Sequence, residues 1–233
     1  MIKYRDKKIL AVVPARGGSK GIKLKNLIKI SGQSLIEIVA NVIKECQIFT
    51  HAVVSTDHEL IAQEAKRVGL GVPFMRPQNI SGDRIGDHEV LKHALIASEE
   101  QFEITYDIIV MLQPTSPLRN KFEVKLTIDT LIDGNWDTVW TLSKTDLKYH
   151  PYKAITVKDD GQINLFSKQG NSIVARQQLT ETYHRNGVAY AINRHILAQS
   201  DNLMSKKTGG VILTRKHISI DTMEDVLKIE SQI

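Results

Sequence analysis

The chain has 233 residues, 42% hydrophobic, 24% charged and 6% aromatic, with a formal net charge of +5. These proportions belong to a globular protein and exclude a disordered or low-complexity chain. No apolar run approaches the length of a membrane span, and the lone cysteine, Cys46, leaves neither an intrachain disulfide nor a cysteine-based zinc site. The start, Met1-Ile2-Lys3-Tyr4-Arg5-Asp6, does not read as a secretion signal, so a cytoplasmic protein with no membrane partner is expected. The cations do not gather into one long block with aromatics between them, so no nucleic-acid partner is expected either; a small anionic substrate accounts for the mild excess.

In chain order, Ile9–Val13 reads as a buried strand and Ser34–Cys46 as a helix, with Cys46 on its apolar side. A strand at His51–Ser55, a helix at Glu59–Val68 and a short strand at Val72–Met75 follow. A polar loop then leads to a helix at His88–Phe102, a strand at Asp107–Leu112, a helix at Lys121–Ile132 and a strand at Asp137–Leu142. This alternation predicts an α/β fold, a doubly wound and mainly parallel sheet with helices on both faces. From 144 the pattern turns polar, with β-like pieces at Ala154–Val157 and Ile163–Phe166 around the turn signal Asp159-Asp160-Gly161. Residues 144–185 are therefore expected to form an inserted β-rich arm, leaving 1–143 and 186–233 as the main domain. Strands at Gly187–Ile192 and Gly210–Leu213 and helices at Arg194–Gln199 and Met223–Ile229 complete it.

The segment with most chemistry is Pro14-Ala15-Arg16-Gly17-Gly18-Ser19-Lys20-Gly21-Ile22-Lys23-Leu24-Lys25-Asn26, placed directly after the first strand. Three glycines let the backbone bring its N–H groups to anionic oxygens, and four cations within ten residues repel one another without an anion or full solvation. The carboxyl ends of strands are where open α/β sheets bind ligands, which favours a polyphosphate grip over an exposed basic turn. The spacing fits neither the GxxxxGK[ST] phosphate loop nor the GxGxxG dinucleotide fingerprint. No HExxH pair and no GxSxG elbow occurs, so hydrolase readings are weak.

This string resembles the N-terminal signature of the sugar-activating cytidylyltransferases, above all the CMP-sialic acid (acylneuraminate) synthetases, in fixing Arg16, Ser19-Lys20 and Lys25-Asn26 together. The resemblance continues through Leu112-Gln113-Pro114-Thr115-Ser116-Pro117-Leu118-Arg119, Arg176-Gln177-Gln178 and Asn186-Gly187 to Tyr190, covering nearly the whole chain. It implies a Rossmann-like nucleotidyltransferase that joins CTP to an acidic nine-carbon sugar and releases pyrophosphate. Arg16, Lys20 and Lys25 would stabilise the α-phosphate and the leaving pyrophosphate. Ser19, Asn26, Arg76 and Asp83 would complete the CTP site. Gln113, Thr115, Ser116 and Tyr190 would meet the sugar, and Lys153 and Arg176 its carboxylate, from the partner subunit of a homodimer built through the arm. Asp221 would hold Mg2+.

Three segments carry two readings each. Asp57 sits where it either caps the following helix or supports the ligand edge. Asp221 or Thr222 either caps the last helix or serves the site, after a strand-like 217–220. The loop Arg76–Arg84 is either an exposed loop or a nucleotide contact. The chain departs from the family pattern at Ser219, where many relatives carry a second acid, and at His184-Arg185, where an arginine often comes first. Kdo as the sugar, and a binding module of the same fold without catalysis, are the alternative readings.

Overall fold

The first apolar run forms β1 (Ile9–Pro14), whose residues 9–13 are fully buried. Burial on both faces is what a parallel strand between two helical layers needs. The computed structural model describes residues 1–232. Downstream lie a hairpin of β2 (Lys29–Ile30) and β3 (Gln33–Ser34), α1 (Leu35–Cys46), β4 (His51–Ser55), α2 (Glu59–Arg67), α3 (Asp87–Phe102), β5 (Ile108–Met111), α4 (Lys121–Asp133) and β6 (Thr138–Lys144). Next come β7 (Ile155–Val157), β8 (Ile163–Leu165), β9 (Tyr183–Asn193), α5 (Arg194–Gln199), β10 (Thr208–Ile212) and α6 (Met223–Glu230).

The chain divides into two units. One comprises Met1–Thr141, Asn186–Val211 and the chain from His217 onward; the other comprises Leu142–Arg185 and Ile212–Lys216. The main sheet has the order β10-β6-β9-β5-β1-β4. β1 pairs in parallel with β4 (Leu10 opposite His51) and with β5 (Ile9 opposite Ile108), while β9 runs antiparallel to β5 (Ile108 opposite Asn193). The α/β expectation holds, with an antiparallel strand in the interior of the sheet. The chain moves from β1 to one side for β4 and to the other for β5, so the switch point lies at the carboxyl ends of β1 and β5, where a crevice opens.

Leu91, Leu95 and Leu197 pack with Leu10, Ile109, Met111 and Ile192 into the main core. A smaller cluster of Ile30, Leu35, Leu118, Ile220, Val226 and Ile229 fixes α6 and the segment before it. Cys46 is buried, as its place on α1 predicts, and burial pushes its thiol up to about 11.

Two expected strands are absent. Val72–Met75 is irregular, and only Gly71 makes a bridge, to Val53; Pro73 has no N–H to continue a ladder. Residues 217–220 are also irregular, held by a hydrogen bond from the Ile220 N–H to the Thr115 carbonyl (2.9 Å) and by burial of Ile220. β9 starts at Tyr183, four residues before the expected Gly187.

In the second unit β7 and β8 form an antiparallel hairpin, its turn containing Gly161 at φ +84°. Every residue from 153 to 166 is exposed.

Candidate active site

The loops after β1 and β5 meet the loop 76–87 and the segment before α6 around a cleft of about 660 Å3 in the first unit. Arg16, Ser19, Lys20, Lys25, Asn26, Arg76, Asp83, Gln113, Thr115 and Asp221, separated by up to 205 positions in sequence, all line it.

Arg16, Lys20 and Lys25 are each paired with a carboxylate. Arg16 Nη1 and Lys20 Nζ each pair with one oxygen of Asp83, at 2.5 and 2.7 Å. Lys25 Nζ pairs with Asp221 Oδ1 at 2.8 Å. Buried Asn26 donates from Nδ2 to the Arg16 carbonyl (3.1 Å) and so fixes the loop that carries Arg16. Two of the three glycines answer to close approach. A Cβ at Gly17 would lie 2.6 Å from the His58 ring, and one at Gly21 2.5 Å from the Asp221 carbonyl oxygen. The Gly17 N–H, expected to face a ligand, donates instead to Asp57 Oδ1 at 2.8 Å.

Both capping ambiguities resolve. His58 caps α2, its Nδ1 accepting from the Leu60 N–H, so the capping reading of Asp57 does not hold. Thr222 caps α6 in a reciprocal box with Asp225, which leaves Asp221 on the cleft beside Ser219. Arg76 is 6% exposed, and its Nε and Nη2 have no hydrogen-bond acceptor. Burial lowers its pKa and Arg16 pushes the same way, while Asp57, 3.9 Å from Nη2, opposes both.

The Gln113–Arg119 loop has an open face and a buried face. Gln113 and Thr115 look onto the cleft. The Ser116 hydroxyl, expected to meet a sugar, is buried and donates to the Asn186 carbonyl (2.8 Å). The Tyr190 hydroxyl, given the same role, accepts from the Gly187 N–H (3.1 Å). Neither lines the cleft. Beneath them the Arg119 guanidinium donates to the carbonyls of Gln113, Gly187 and Val188. Burial pulls its pKa down to about 9, which leaves it charged at neutral pH.

Lys153 and Arg176 belong to the second unit and do not line this cleft. Arg176 borders a separate hollow of about 330 Å3 with Lys144, Leu147 and Glu181, where Lys144 pairs with Glu181. The Asp57 contacts were not foreseen, and neither was the His217–Glu123 pair (2.8 Å), which ties the segment of Asp221 to α4. No local pattern marks either, because their partners are distant in sequence.

Among the described residues no three His, Cys, Asp or Glu side chains gather as a metal cage. An exposed Asp221 carboxylate beside the Ser219 hydroxyl nonetheless suits Mg2+, which takes few protein oxygens and fills its shell with phosphate and water.

A family model described as cytidylyltransferase matches residues 10–231. The chain belongs to the cytidylyltransferase family. This cytidylyltransferase is 32% identical over 205 residues to post-translational flagellin modification protein B of Campylobacter coli, covering 88% of this chain and 86% of that one. It is 29% identical over 220 residues to a pseudaminic acid cytidylyltransferase of Campylobacter jejuni, covering 94% and 93%. With the CMP-N,N'-diacetyllegionaminic acid synthase of the same species it shares 30% over 201 residues, covering 86% and 84%. Among solved structures, a CMP-2-keto-3-deoxy-manno-octonic acid synthetase complexed with CTP aligns at a TM-score of 0.70 and 17% identity, covering 97% of this chain and 98% of that one. At that identity the cytidylyltransferase shares the fold alone with it.

Proposed function

We propose that the chain transfers the cytidylyl group of CTP to a nonulosonic acid, a nine-carbon 2-keto acid sugar. The anomeric hydroxyl attacks the α-phosphorus, a new P–O bond forms, the bond to the β-phosphate oxygen breaks, and pyrophosphate leaves. The hydroxyl proton passes to solvent. No covalent enzyme intermediate is needed, so the protein's work is in-line positioning and neutralisation of charge.

The observation that carries this reading is one cleft lined by Arg16, Lys20 and Lys25 together with Gln113 and Thr115. The cations suit a triphosphate and the polar loop suits a sugar. Asp221, with triphosphate oxygens and water, would hold Mg2+, whose charge offsets that of the phosphate oxygens. Relatives named for pseudaminic and legionaminic acid support the sugar class, and they favour such acids over N-acylneuraminate. A homodimer, with Lys153 and Arg176 turned to a partner's sugar carboxylate, and a cytoplasmic location, where CTP is found, complete the proposal. Bidentate pairing with carboxylate is what an arginine does well.

The test is pyrophosphate release from CTP and Mg2+ with a panel of pseudaminic, legionaminic and N-acetylneuraminic acids and Kdo. Turnover with a nonulosonic acid is expected. Turnover with Kdo alone would replace the sugar class, and CTP binding without turnover on any sugar would make the chain a binding module. Lys25→Ala should lower kcat/KM by roughly 10²–10³, as loss of a donor to developing charge does, about 3–4 kcal/mol.

A further inference from the structure

We propose that Asp57 is a positioning residue of the triphosphate site, a single carboxylate that seats the phosphate loop and serves as the counter-charge of buried Arg76. The inference rests on the cytidylyltransferase reading and adds to it a residue that contacts no substrate.

Asp57 is released from capping by His58. Its Oδ1 accepts the Gly17 N–H at 2.8 Å. Gly17 also lies against the His58 ring, with no room for a Cβ, so the first turn of the phosphate loop rests on residues 57 and 58. The same Oδ1 lies 3.9 Å from Arg76 Nη2. That is too long for a hydrogen bond, so the coupling to Arg76 is electrostatic.

Its strength follows from burial. The Arg76 side chain is 4% exposed, with Nε and Nη2 lacking acceptors. Arg16, on the same cleft, repels it. The Asp57 charge favours the guanidinium cation of Arg76. The Arg76 N–H donates to the Thr56 carbonyl (2.7 Å), so the backbone next to Asp57 also holds Arg76 in place. Arg16 and Arg76 thus sit on separate loops that share one anion. Without the charge, the two cations would move apart before any triphosphate arrives. Arg76 is buried while Asp57 is more exposed, so removing the carboxylate charge leaves a buried cation uncompensated, which is the costly case.

Asp57→Asn keeps an oxygen for the Gly17 N–H and removes the charge. It should raise the KM for CTP, and the calorimetric Kd for CTP, by about tenfold or more. The KM for the sugar should stay within about twofold, a split that general loosening would not give. In an Arg76→Met background, Asp57→Asn should add less than about twofold, because its partner is already gone. Should Asp57→Asn fail to fold, Gly17→Ala, which lifts the loop from its seat, should show the same loss selective for CTP. Wild-type kinetics in the folded variants, equal changes in both KM values, or full multiplication in the Arg76→Met background would overturn the proposal. A wild-type chain that binds CTP without turnover overturns the enzymatic reading but leaves the calorimetric comparison of variants intact. One that binds no CTP overturns both.

Discussion

Arg16 and Lys20 share Asp83, one oxygen each, where a triphosphate would need both cations. Lys20 first and Arg16 second hold the Asp83 carboxyl below the usual carboxylate range. The sign follows: a depressed pKa means the clasp is complete above the ordinary carboxylate pKa and is lost as pH falls through the lowered one. Asp83 is therefore an anion throughout the neutral range and would compete with a triphosphate for the two cations. Asp83→Asn should tighten CTP binding by about two- to fivefold, the modest effect expected of exposed ion pairs. The gain should be the same from pH 6 to pH 9 by titration calorimetry, because the Asp83 carboxylate stays ionised across that range. Weaker binding, or a gain that varies with pH in that range, would show that Asp83 serves the nucleotide directly. The cations were legible in the sequence because they share one string. Asp83 and Asp221 enter as site residues through the family resemblance, but their pairing with these cations was not legible, since Asp83 lies 63 positions from Lys20 and Asp221 196 positions from Lys25.

At the scale of elements, the helices and the parallel strands follow from periodicity, and α1 is capped by Ser34, whose hydroxyl accepts the Glu37 N–H. The direction of β9 does not follow, because an apolar run has the same period in either direction. What joins β9 to the loop after β5 is Arg119, the last residue of the Leu-Gln-Pro-Thr-Ser-Pro-Leu-Arg string. It is 4% exposed and donates to three backbone carbonyls, two of them on β9. Gly187, at φ +72°, supports the same junction, since a Cβ there would collide with the Gln113 side chain and lie 2.8 Å from Ser116 Oγ. The motif reads as a sugar contact in sequence, yet half of it is a joint that presents Gln113 and Thr115. Arg119→Met should cost on the order of 3 kcal/mol or more, because the buried carbonyls lose their donors. Arg119→Lys should recover part of that, keeping the charge without the planar fork. Urea melts of both variants check it, and a stable Arg119→Met protein would remove the joint from the account.

For the whole molecule, the second unit raises a question that its own residues do not close. A two-stranded hairpin is marginal alone in water. Here Ile155, Val157, Ile163 and Phe166 are 54–70% exposed on and beside β7 and β8. The sequence shows a polar stretch with short β pieces, too small to hold a core alone; it does not show that these side chains stay uncovered within one chain. A second copy covering them would explain the pattern and would bring Lys153 and Arg176 to a partner. In that case Val157→Asp with Phe166→Asp should convert a dimer into a monomer in sedimentation, since two buried charges without partners exceed the margin of an ordinary interface. The monomer should still bind CTP, since the residues proposed for it all lie in the first unit, and should lose turnover of the sugar. A wild-type chain that sediments as a monomer, or a monomeric variant with unchanged sugar kinetics, would remove Lys153 and Arg176 from the site and leave sugar recognition to Gln113, Thr115 and the rest of the cleft.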